Sequence, residues 1–307
     1  MPRTVLVTGA CGFLGRHVVR ALEAQADCGL VTLDRPGQAA PSDRWEHVGW
    51  DLGQERPPGP LPEVDAVVHL AAALPPADAD SMFRANVVGT ANLLRVLGRP
   101  GRRLVVISSS AVYGIPRSSD PIDEGAAVAP VSAYGESMLA RELAARAYAR
   151  STGAELVILR LFNLAGPGQR PVMMIPEFAE RLARIERGLD PPVLRVGRLD
   201  TARDFVDVRD AASAISSAAL APGQLPDVLN VASGNAWSGQ QVLDCLLGLS
   251  RVVPAVQQDP ALHRSGDVSV IVGNAGVARS TLGWRPRYDL EQTLRDALEE
   301  ARRKMSS

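Results

Sequence analysis

Short apolar runs alternate along the first half of the chain with longer segments in which apolar residues recur at helical spacing. The runs at residues 4–7 and 103–108 are rich in Val, Ile and Leu, which is typical of buried strands. In residues 13–26, Val18 and Leu22 lie one helical turn apart. The same patterns predict strands at 29–34, 64–70 and 155–161, a short strand near 47–48, and helices at 81–97 and 132–150.

Buried strands that alternate with amphipathic helices predict an α/β protein with a Rossmann-like, doubly wound parallel sheet. After residue 161 prolines separate shorter elements, and helices are predicted at 176–188, 208–219, 239–249 and 290–303. We expect residues 1–165 to form the sheet domain, with 203–233 returning to it. Residues 166–202 and 234–307 would form a smaller C-terminal lobe over the carboxyl edge of the sheet, where such folds bind ligands.

Composition excludes several classes of partner. The 307 residues are 46% hydrophobic and 22% charged, with a net charge of −1, so nothing favours nucleic acid or an anionic membrane. The three cysteines have no metal-like spacing, and we predict free thiols and no metal site. A strand pattern begins by Thr4 and no apolar run approaches a membrane span, so we expect a cytoplasmic protein.

A glycine-rich turn lies between the first predicted strand and helix. Gly9, Gly12 and Gly15 permit a tight turn and close backbone approach, and the helix N-terminus favours a pyrophosphate. Asp34, about 20 residues further on, would bond a ribose 2′-hydroxyl and repel a 2′-phosphate, so the motif predicts dinucleotide binding and favours NAD. Arg35 could pair with a phosphate, which leaves NADP open. Cys11 is interpreted as a small filler of the turn.

Further motifs cover nearly the whole chain in a fixed order and resemble the extended short-chain dehydrogenase/reductase family of nucleotide-sugar epimerases, dehydratases and reductases. The C-terminal half, notably residues 192–197 and 203–210, is most similar to the GDP-4-keto-6-deoxymannose reductases. The motifs that carry the resemblance lie at residues 8–15, 51–52, 69–72, 86–90, 108–114, 134, 160–163, 166–169, 203–208 and 283–286.

The resemblance implies a set of cofactor contacts. Asp51 and Leu52 would flank the adenine, and Ala71 and Ala72 would lie at the diphosphate and ribose. The other implied cofactor contacts are Gly9, Cys11, Gly12, Phe13, Leu14, Gly15, Asp34, Arg35, Leu70, Asn86, Tyr134, Leu161 and Asn163. Considered by themselves, His69 and Asn86 favour a structural role in orienting the backbone.

The resemblance also implies the substrate contacts. Ser109 would hold the substrate carbonyl or hydroxyl, with Ser110 beside it, and Tyr134 would exchange the proton. Asn163, Arg203 and Arg264 would contact the diphosphate and nucleoside of a nucleotide-sugar. Surface ion pairs are the ordinary role of such arginines, but Arg binds phosphate with two parallel hydrogen bonds, which favours diphosphate contact here.

Two departures from the family pattern bear on the reaction. Ser110 and Ala111 follow Ser109 where a 4,6-dehydratase carries an acid, which argues against dehydration. Met138 stands one turn after Tyr134 where the family has the lysine that lowers the pKa of the tyrosine, and Lys304 is the only lysine in the chain. The pKa of Tyr134 is therefore expected nearer its free value of about 10. Arg141 lies two turns after Tyr134, near the same face, where it could partly replace the missing charge. Because of that distance, a solvated or interface position is expected instead.

The missing lysine affects the two reaction directions differently. Oxidation of an alcohol, the first step of an epimerase, needs the phenolate as base, whereas ketone reduction needs the phenol as proton donor. The leading hypothesis is an NAD(P)H-dependent reductase of an NDP-4-keto-6-deoxyhexose, with Tyr134 as proton donor and Ser109 polarising the carbonyl. The alternatives are an NDP-sugar 4-epimerase with tightly bound NAD and a redox-impaired nucleotide-sugar or NAD binding protein. Extra apolar positions on helices 81–97 and 132–150 predict a homodimer.

Overall fold

The computed structural model describes residues 3–116, 118, 120–262 and 270–305. A seven-stranded parallel sheet forms its centre, in the spatial order β10-β6-β5-β4-β1-β2-β3. Its strands are β1 (Arg3–Thr8), β2 (Cys28–Asp34), β3 (Glu46–Gly49), β4 (Ala66–His69), β5 (Arg103–Ser109), β6 (Glu155–Leu161) and β10 (Val228–Val231). The chain builds one half outward from β1, then returns to the centre and builds the other half from β4. This order confirms the predicted Rossmann-like, doubly wound sheet.

Helices cover both faces of this sheet. In chain order the α-helices of the described residues are α1 (Phe13–Glu23), α2 (Ala79–Phe83), α3 (Gly89–Leu97), α4 (Ala133–Thr152), α5 (Met174–Glu186), α6 (Val208–Leu220), α7 (Gly239–Leu249), α8 (Gly276–Leu282) and α9 (Leu290–Lys304), of which α5, α7 and α9 pack in the smaller lobe. Helices α1 and α6 pack together on one face, and α3 and α4 on the other. Within the described residues, none of these helices has the length and apolarity needed to cross a bilayer.

The alternation of side chains along β1 divides the core into two layers. Val5 and Val7 belong to the cluster that also contains Val18 of α1, whereas Leu6 belongs to the cluster with Leu93 of α3. Successive residues of a strand point to opposite faces, so an uninterrupted apolar run supplies both layers at once. All three β1 residues are fully buried.

The smaller lobe has its own sheets and its own core. Its strands are β7 (Asn163–Ala165), β8 (Val193–Val196), β9 (Ala202–Asp207), β11 (Ala236–Ser238), β12 (Ala255–Gln258) and β13 (Val270–Ile271). Strand β9 pairs with β7, β11 and β13, and β8 pairs with β12. Phe178, Leu182, Leu243 and Leu294 bury the facing sides of α5, α7 and α9. Of the segment 203–233, β9 lies in this lobe, whereas α6 and β10 lie with the large sheet.

The helix expected at 81–97 is interrupted by a π-helical segment, Arg84–Val88. Asn86 lies inside this segment and is fully buried. Its side chain accepts a hydrogen bond from Ala73 N at 2.7 Å and donates to Ala73 O and to Ser137 Oγ at 3.0 and 2.9 Å. The local widening of the helix thus coincides with a side chain that ties it to the loop after β4 and to α4.

A buried ionic network holds α4 against the sheet. Glu142 of α4 accepts hydrogen bonds from Ser108 Oγ of β5 at 2.6 Å and from Arg160 of β6 at 2.9 and 2.8 Å. Arg146, one turn along α4, donates to the same carboxylate at 3.1 Å. Burial would raise the pKa of Glu142, but the hydrogen bonds from Arg160 and Ser108 outweigh it and hold this pKa below its ordinary value.

Replacing Glu142 with Gln should destabilise the protein by about 3–5 kcal/mol, because Arg160 then keeps a buried charge without a counter-ion. Urea unfolding at neutral pH measures this loss. Since the folded-state pKa of Glu142 is depressed, its contribution is present above the unfolded pKa and is lost as pH falls, so the difference should shrink below about pH 4. Glu291→Gln, in the exposed pair with Arg295, is the control and should change stability by no more than about 0.5 kcal/mol. Equal effects of both changes would contradict this account.

Candidate functional site

A single cleft of about 1970 Å³ lies between the large sheet and the smaller lobe. Pockets for one small ligand are usually about 300–1,000 Å³, so this cleft has room for a dinucleotide together with a second ligand. Its walls include the predicted residues Gly9, Cys11, Gly12, Phe13, Leu14, Gly15, Asp34, Arg35, Asp51, Leu52, Leu70, Ala71, Ala72, Ser109, Tyr134, Met138, Leu161, Asn163 and Arg203.

Two predicted contacts among the described residues are not on these walls. Asn86 is buried between the loop after β4 and α4, with its amide already bonded to Ala73 and Ser137. Ser110 is also buried, in the short 3₁₀ turn Ser110–Tyr113 that follows β5. Arg264 lies outside the described residues.

The glycine-rich turn fits a diphosphate. Gly9 has a φ of +69°, and a Cβ there would lie 2.9 Å from Ala71 N. A Cβ on Gly15 would lie 2.0 Å from Gly9 O, so only glycine permits α1 to pack this close to the turn. Gly12 caps α1 without a side chain, and the first turn of α1 carries no acid. The amide groups and positive end of α1 are therefore available to an anion in the cleft.

Asp34 ends β2 beside this turn. Its two carboxylate oxygens each accept a hydrogen bond from Cys11 N at 3.2 Å. Burial raises the pKa of Asp34, and the bonds from Cys11 oppose that shift. Burial and Asp34 together raise the pKa of the Cys11 thiol to about 11. The ligating atoms of Cys11, Asp34 and His47 lie within 4.8 Å of one another, but each group already has hydrogen-bond partners. Asp34 accepts from Cys11 N, the Cys11 thiol donates to Ala39 O, and the His47 ring bonds Thr32 and Gln38.

His69 orders the loop that forms the next part of the wall. Thr90 donates its hydroxyl to Asn86 O at 2.7 Å, so it accepts from His69 Nε2 at 2.9 Å. Nδ1 of His69 is then the acceptor for the Thr8 hydroxyl at 2.7 Å, and Thr8 in turn accepts from Ala71 N at 3.1 Å. Burial lowers the pKa of His69 well below its ordinary value, which keeps this ring neutral. The chain of bonds supports a structural role for His69.

Ser109 and Tyr134 meet at the centre of the cleft. Ser109 ends β5, and Tyr134 lies in the first turn of α4, where the Ser132 hydroxyl accepts a hydrogen bond from Gly135 N at 3.1 Å. Burial raises the pKa of Tyr134, while the neighbouring Ser109 hydroxyl and the charge of Arg141 act in the opposite direction. The phenol is thus the dominant form near neutral pH. Met138, one turn along α4, is 2% exposed and adds no charge.

The expectation that Arg141 is solvated or at an interface is wrong. Its side chain is fully buried, lies at the wall of the cleft, and donates to His69 O at 2.6 Å and Ala71 O at 3.2 Å. A spacing of seven residues along α4 does not put the Arg141 side chain out of reach of the turn that contains Tyr134. Helical side chains point towards the helix N-terminus, so a long arginine reaches back over the turn that precedes it.

The end of the cleft formed by the smaller lobe carries further cations. Arg203 of β9 lines it and donates to Ala202 O at 2.9 Å, and Asn163 lines it at the start of β7. Arg170 and Arg195, which the sequence analysis did not single out, also line this end. Both lie in segments that the sequence assigned to the smaller lobe, which was the available signal.

Comparison with known proteins places the chain among nucleotide-sugar enzymes. The sequence profile of the "NAD dependent epimerase/dehydratase family" matches residues 5–232. The chain is 33% identical to the GDP-6-deoxy-D-mannose reductase of Pseudomonas aeruginosa, with 97% of each chain covered. It is 30% identical to the dTDP-6-deoxy-L-talose 4-dehydrogenase (NAD(P)(+)) of Kitasatospora kifunensis, covering 96% of this chain and 94% of that one.

Two further relatives define the range of the similarity. The UDP-glucose 4-epimerase of Streptococcus mutans is 28% identical, covering 93% of this chain and 92% of that one. The solved structure of RMD from Pseudomonas aeruginosa, complexed with NADPH, superposes with a TM-score of 0.86 at 31% identity. That superposition covers 98% of this chain and 99% of the other.

Replacing Gly15 with Ala should impair cofactor binding and folding together, because the new methyl group collides with Gly9 O. We expect the free energy of unfolding to fall by roughly 1–3 kcal/mol. The dissociation constant for NADH, measured by fluorescence titration, should increase about tenfold. Gly248→Ala in α7 is the matched control, since a Cβ there meets nothing within 4 Å. It should raise stability by about 0.5–1 kcal/mol and leave binding unchanged. Normal NADH binding by Gly15→Ala would contradict this assignment of the turn.

Proposed function

Because the chain belongs to the NAD dependent epimerase/dehydratase family, we propose that it reduces an NDP-4-keto-6-deoxyhexose with NADH. It is an NAD(P)-dependent nucleotide-sugar enzyme of the extended short-chain dehydrogenase/reductase type, as its motifs predicted. The observation that carries the reductase proposal is that Ser109 and Tyr134 line one cleft with Met138, and not a lysine, one turn along α4. Burial also raises the pKa of Tyr134, which keeps its hydroxyl protonated. A proton donor beside a carbonyl-binding serine suits ketone reduction.

The cofactor proposal rests on the turn and on Asp34. The positive end of α1 suits the diphosphate, and Asp34 suits a ribose 2′-hydroxyl more than a 2′-phosphate. When bound, a reduced nicotinamide would supply the hydride. Asp34 is only 6% exposed. A buried carboxylate disfavours the nearby 2′-phosphate that distinguishes NADPH from NADH, so we propose NADH in preference to NADPH.

Ser109 and Tyr134 perform the remaining chemistry in this proposal. Their hydroxyl groups hold the substrate carbonyl oxygen by hydrogen bonds, which polarises the carbonyl and orients its carbon. As negative charge develops on that oxygen, Tyr134 donates its proton, and the phenolate regains a proton from solvent. The position of the hydroxyl is set by the first turn of α4, which the Ser132 cap stabilises.

Asn163 and Arg203 are proposed to hold the nucleotide end of the substrate, with Arg264. Two of the relatives described above act on 6-deoxyhexoses linked to GDP or dTDP, which supports a 6-deoxysugar substrate. An arginine pairs with phosphate through two parallel hydrogen bonds, so Arg203 suits the diphosphate that every such substrate carries.

A 4-epimerase with retained NAD is the second candidate. The similarity to UDP-glucose 4-epimerase supports it, and so does the charge of Arg141, which lowers the pKa of Tyr134 and so favours the phenolate that alcohol oxidation needs. The uncharged Met138, one turn after Tyr134 on the cleft wall, favours the reductase over this candidate because it leaves the phenol protonated.

We also propose that the protein is a homodimer joined through α3 and α4. These helices pack side by side and carry the exposed apolar side chains Val96 and Leu143. The α2 and π-helical segments that lead into α3 add the exposed Phe83 and Val88. Leu143 is 59% exposed, and such a patch on paired helices suits burial against a second copy.

Purified protein mixed with NADH and an NDP-4-keto-6-deoxyhexose should oxidise NADH and form the corresponding 6-deoxysugar nucleotide. The kcat/KM for the cofactor should be higher with NADH than with NADPH. Tyr134→Phe removes the proton donor and should lower kcat by about 10²–10⁴-fold. Loss of NADH absorbance and mass spectrometry of the sugar nucleotide measure these outcomes.

The matched control for this experiment is Tyr148→Phe, on the same helix but away from the cleft, which should leave kcat unchanged. If neither NADH nor NADPH is consumed while C4 epimers of an NDP-sugar interconvert, the protein is an epimerase and the reductase proposal fails.

Leu143→Asp should convert the dimer into a monomer, because it places a charge in an apolar contact. Light scattering at matched concentrations should report twice the chain mass for the wild type and the chain mass for the variant. Leu189→Asp changes an equally exposed leucine, at 56%, in the smaller lobe and should remain dimeric. A wild-type protein with the mass of one chain would refute the dimer.

A further inference from the structure

Arg141 is a buried cation that pairs with no carboxylate among the described residues. Two of its nitrogens donate to His69 O and Ala71 O, and its Nε has no hydrogen-bond partner. Ion pairs involve other buried arginines of the described chain, such as Arg103 with Glu155 and Arg160 with Glu142. Burying a charge without a counter-ion is unfavourable by several kcal/mol, so a specific role is expected.

The spacing along α4 brings this charge close to the reactive hydroxyl. Tyr134, Met138 and Arg141 are four and three residues apart, which are the spacings of neighbours on one helical face. Tyr134, Met138 and Arg141 all line the same cleft. Helical side chains point towards the helix N-terminus, which directs the guanidinium of Arg141 towards the turn that holds Met138. Met138 is flexible and uncharged, so it leaves this volume open to a neighbouring guanidinium.

We propose that Arg141 is a positioning residue that supplies, at the Tyr134 hydroxyl, the positive charge that a lysine at position 138 supplies in related enzymes. The active-site cation is thereby moved from one turn to two turns after the tyrosine. This inference rests on the proposed role of Tyr134 as proton donor. The electrostatic contact between Arg141 and Tyr134 is mutual: the cation favours the phenolate, and the phenolate favours the cation.

Among the groups that surround Tyr134, Arg141 is the charged residue that influences its pKa. From β5, Ser109 contributes a neutral hydroxyl, and from β4 the buried His69 is neutral. The charge of Glu142, next to Arg141, is balanced by its bonds to Arg160, Ser108 and Arg146. Burial lowers the pKa of Arg141 to about 10, so it stays protonated at neutral pH.

A purely structural role makes a different prediction. If Arg141 only secured the loop after β4 through His69 O and Ala71 O, removing its charge while keeping a donor would leave the titration of Tyr134 unchanged. The two roles are therefore separated by the ionisation of Tyr134, which can be measured without substrate.

The test is an ultraviolet titration of tyrosinate in the absence of substrate. The chain has four tyrosines, and subtraction of the matching Tyr134→Phe variant isolates the signal of Tyr134. Arg141→Gln should raise the midpoint of Tyr134 by about one pKa unit or more, whereas Arg141→Lys should stay within about half a unit of wild type. An unchanged midpoint in Arg141→Gln overturns the proposal, whatever reaction the enzyme catalyses.

The rescue variant guards against a failure of Arg141→Gln to fold. Met138→Lys alone places a second cation beside Arg141 and should be less stable than wild type in urea unfolding. Met138→Lys combined with Arg141→Met should be more stable than Met138→Lys and should restore the Tyr134 midpoint to within about half a unit of wild type. A double variant less stable than Met138→Lys, or one with a midpoint still raised, overturns the proposal.

The reaction profile supplies an independent readout. In Arg141→Gln the alkaline limit of ketone reduction should move to higher pH, because the phenol persists, and the reverse oxidation at pH 7 should slow by about tenfold. Failure of the reductase proposal appears as missing product. Failure of the Arg141 proposal appears as unmoved titration and unmoved pH limits.

Discussion

The docking of α4 on the sheet depends on two adjacent buried charges of opposite sign. Glu142 ties the helix to β5 and β6 through Ser108 and Arg160, and Arg141 ties it to the carbonyl groups at the end of β4 and just after it. Together they fix α4 against three neighbouring strands. These contacts set the orientation of α4 about its own axis and its distance from the sheet. That orientation determines whether the Tyr134 side chain faces Ser109.

The two charges are compensated to different degrees, and the difference is informative. Glu142 receives four hydrogen bonds, three of them from cations, so its burial is well compensated. Arg141 receives two neutral carbonyl groups and keeps an unpartnered Nε. An apolar residue at position 141 would pack in the same layer without any desolvation penalty. An anchor alone therefore does not account for an arginine at this position, whereas an ionisable neighbour such as Tyr134 does.

Most of the fold follows from local sequence patterns, because β1, β2, β4, β5 and β6 are largely apolar strands and α1 and α3 have regular helical spacing. The glycine turn, Asp34 and the Tyr134–Met138 pair could be located for the same reason. The short strands β7, β9 and β13 depend on pairing with distant partners, so no local pattern identifies them. The π-helical segment around Asn86 depends likewise on the loop after β4.

The sequence analysis identified Arg141 near the face of Tyr134 but predicted the wrong environment for it, for a more specific reason. Spacing alone gives the position of a Cα atom on a helical face, but function depends on where the end of a side chain lies, and for arginine this is about a turn nearer the helix N-terminus. A lysine at position 138 and an arginine at position 141 thus direct their charges into the same small volume. Two protonated groups there repel one another at low dielectric, so each is favourable only in the absence of the other. The absence of a lysine at position 138 and the burial of Arg141 therefore depend on each other: the site keeps one cation and changes its position.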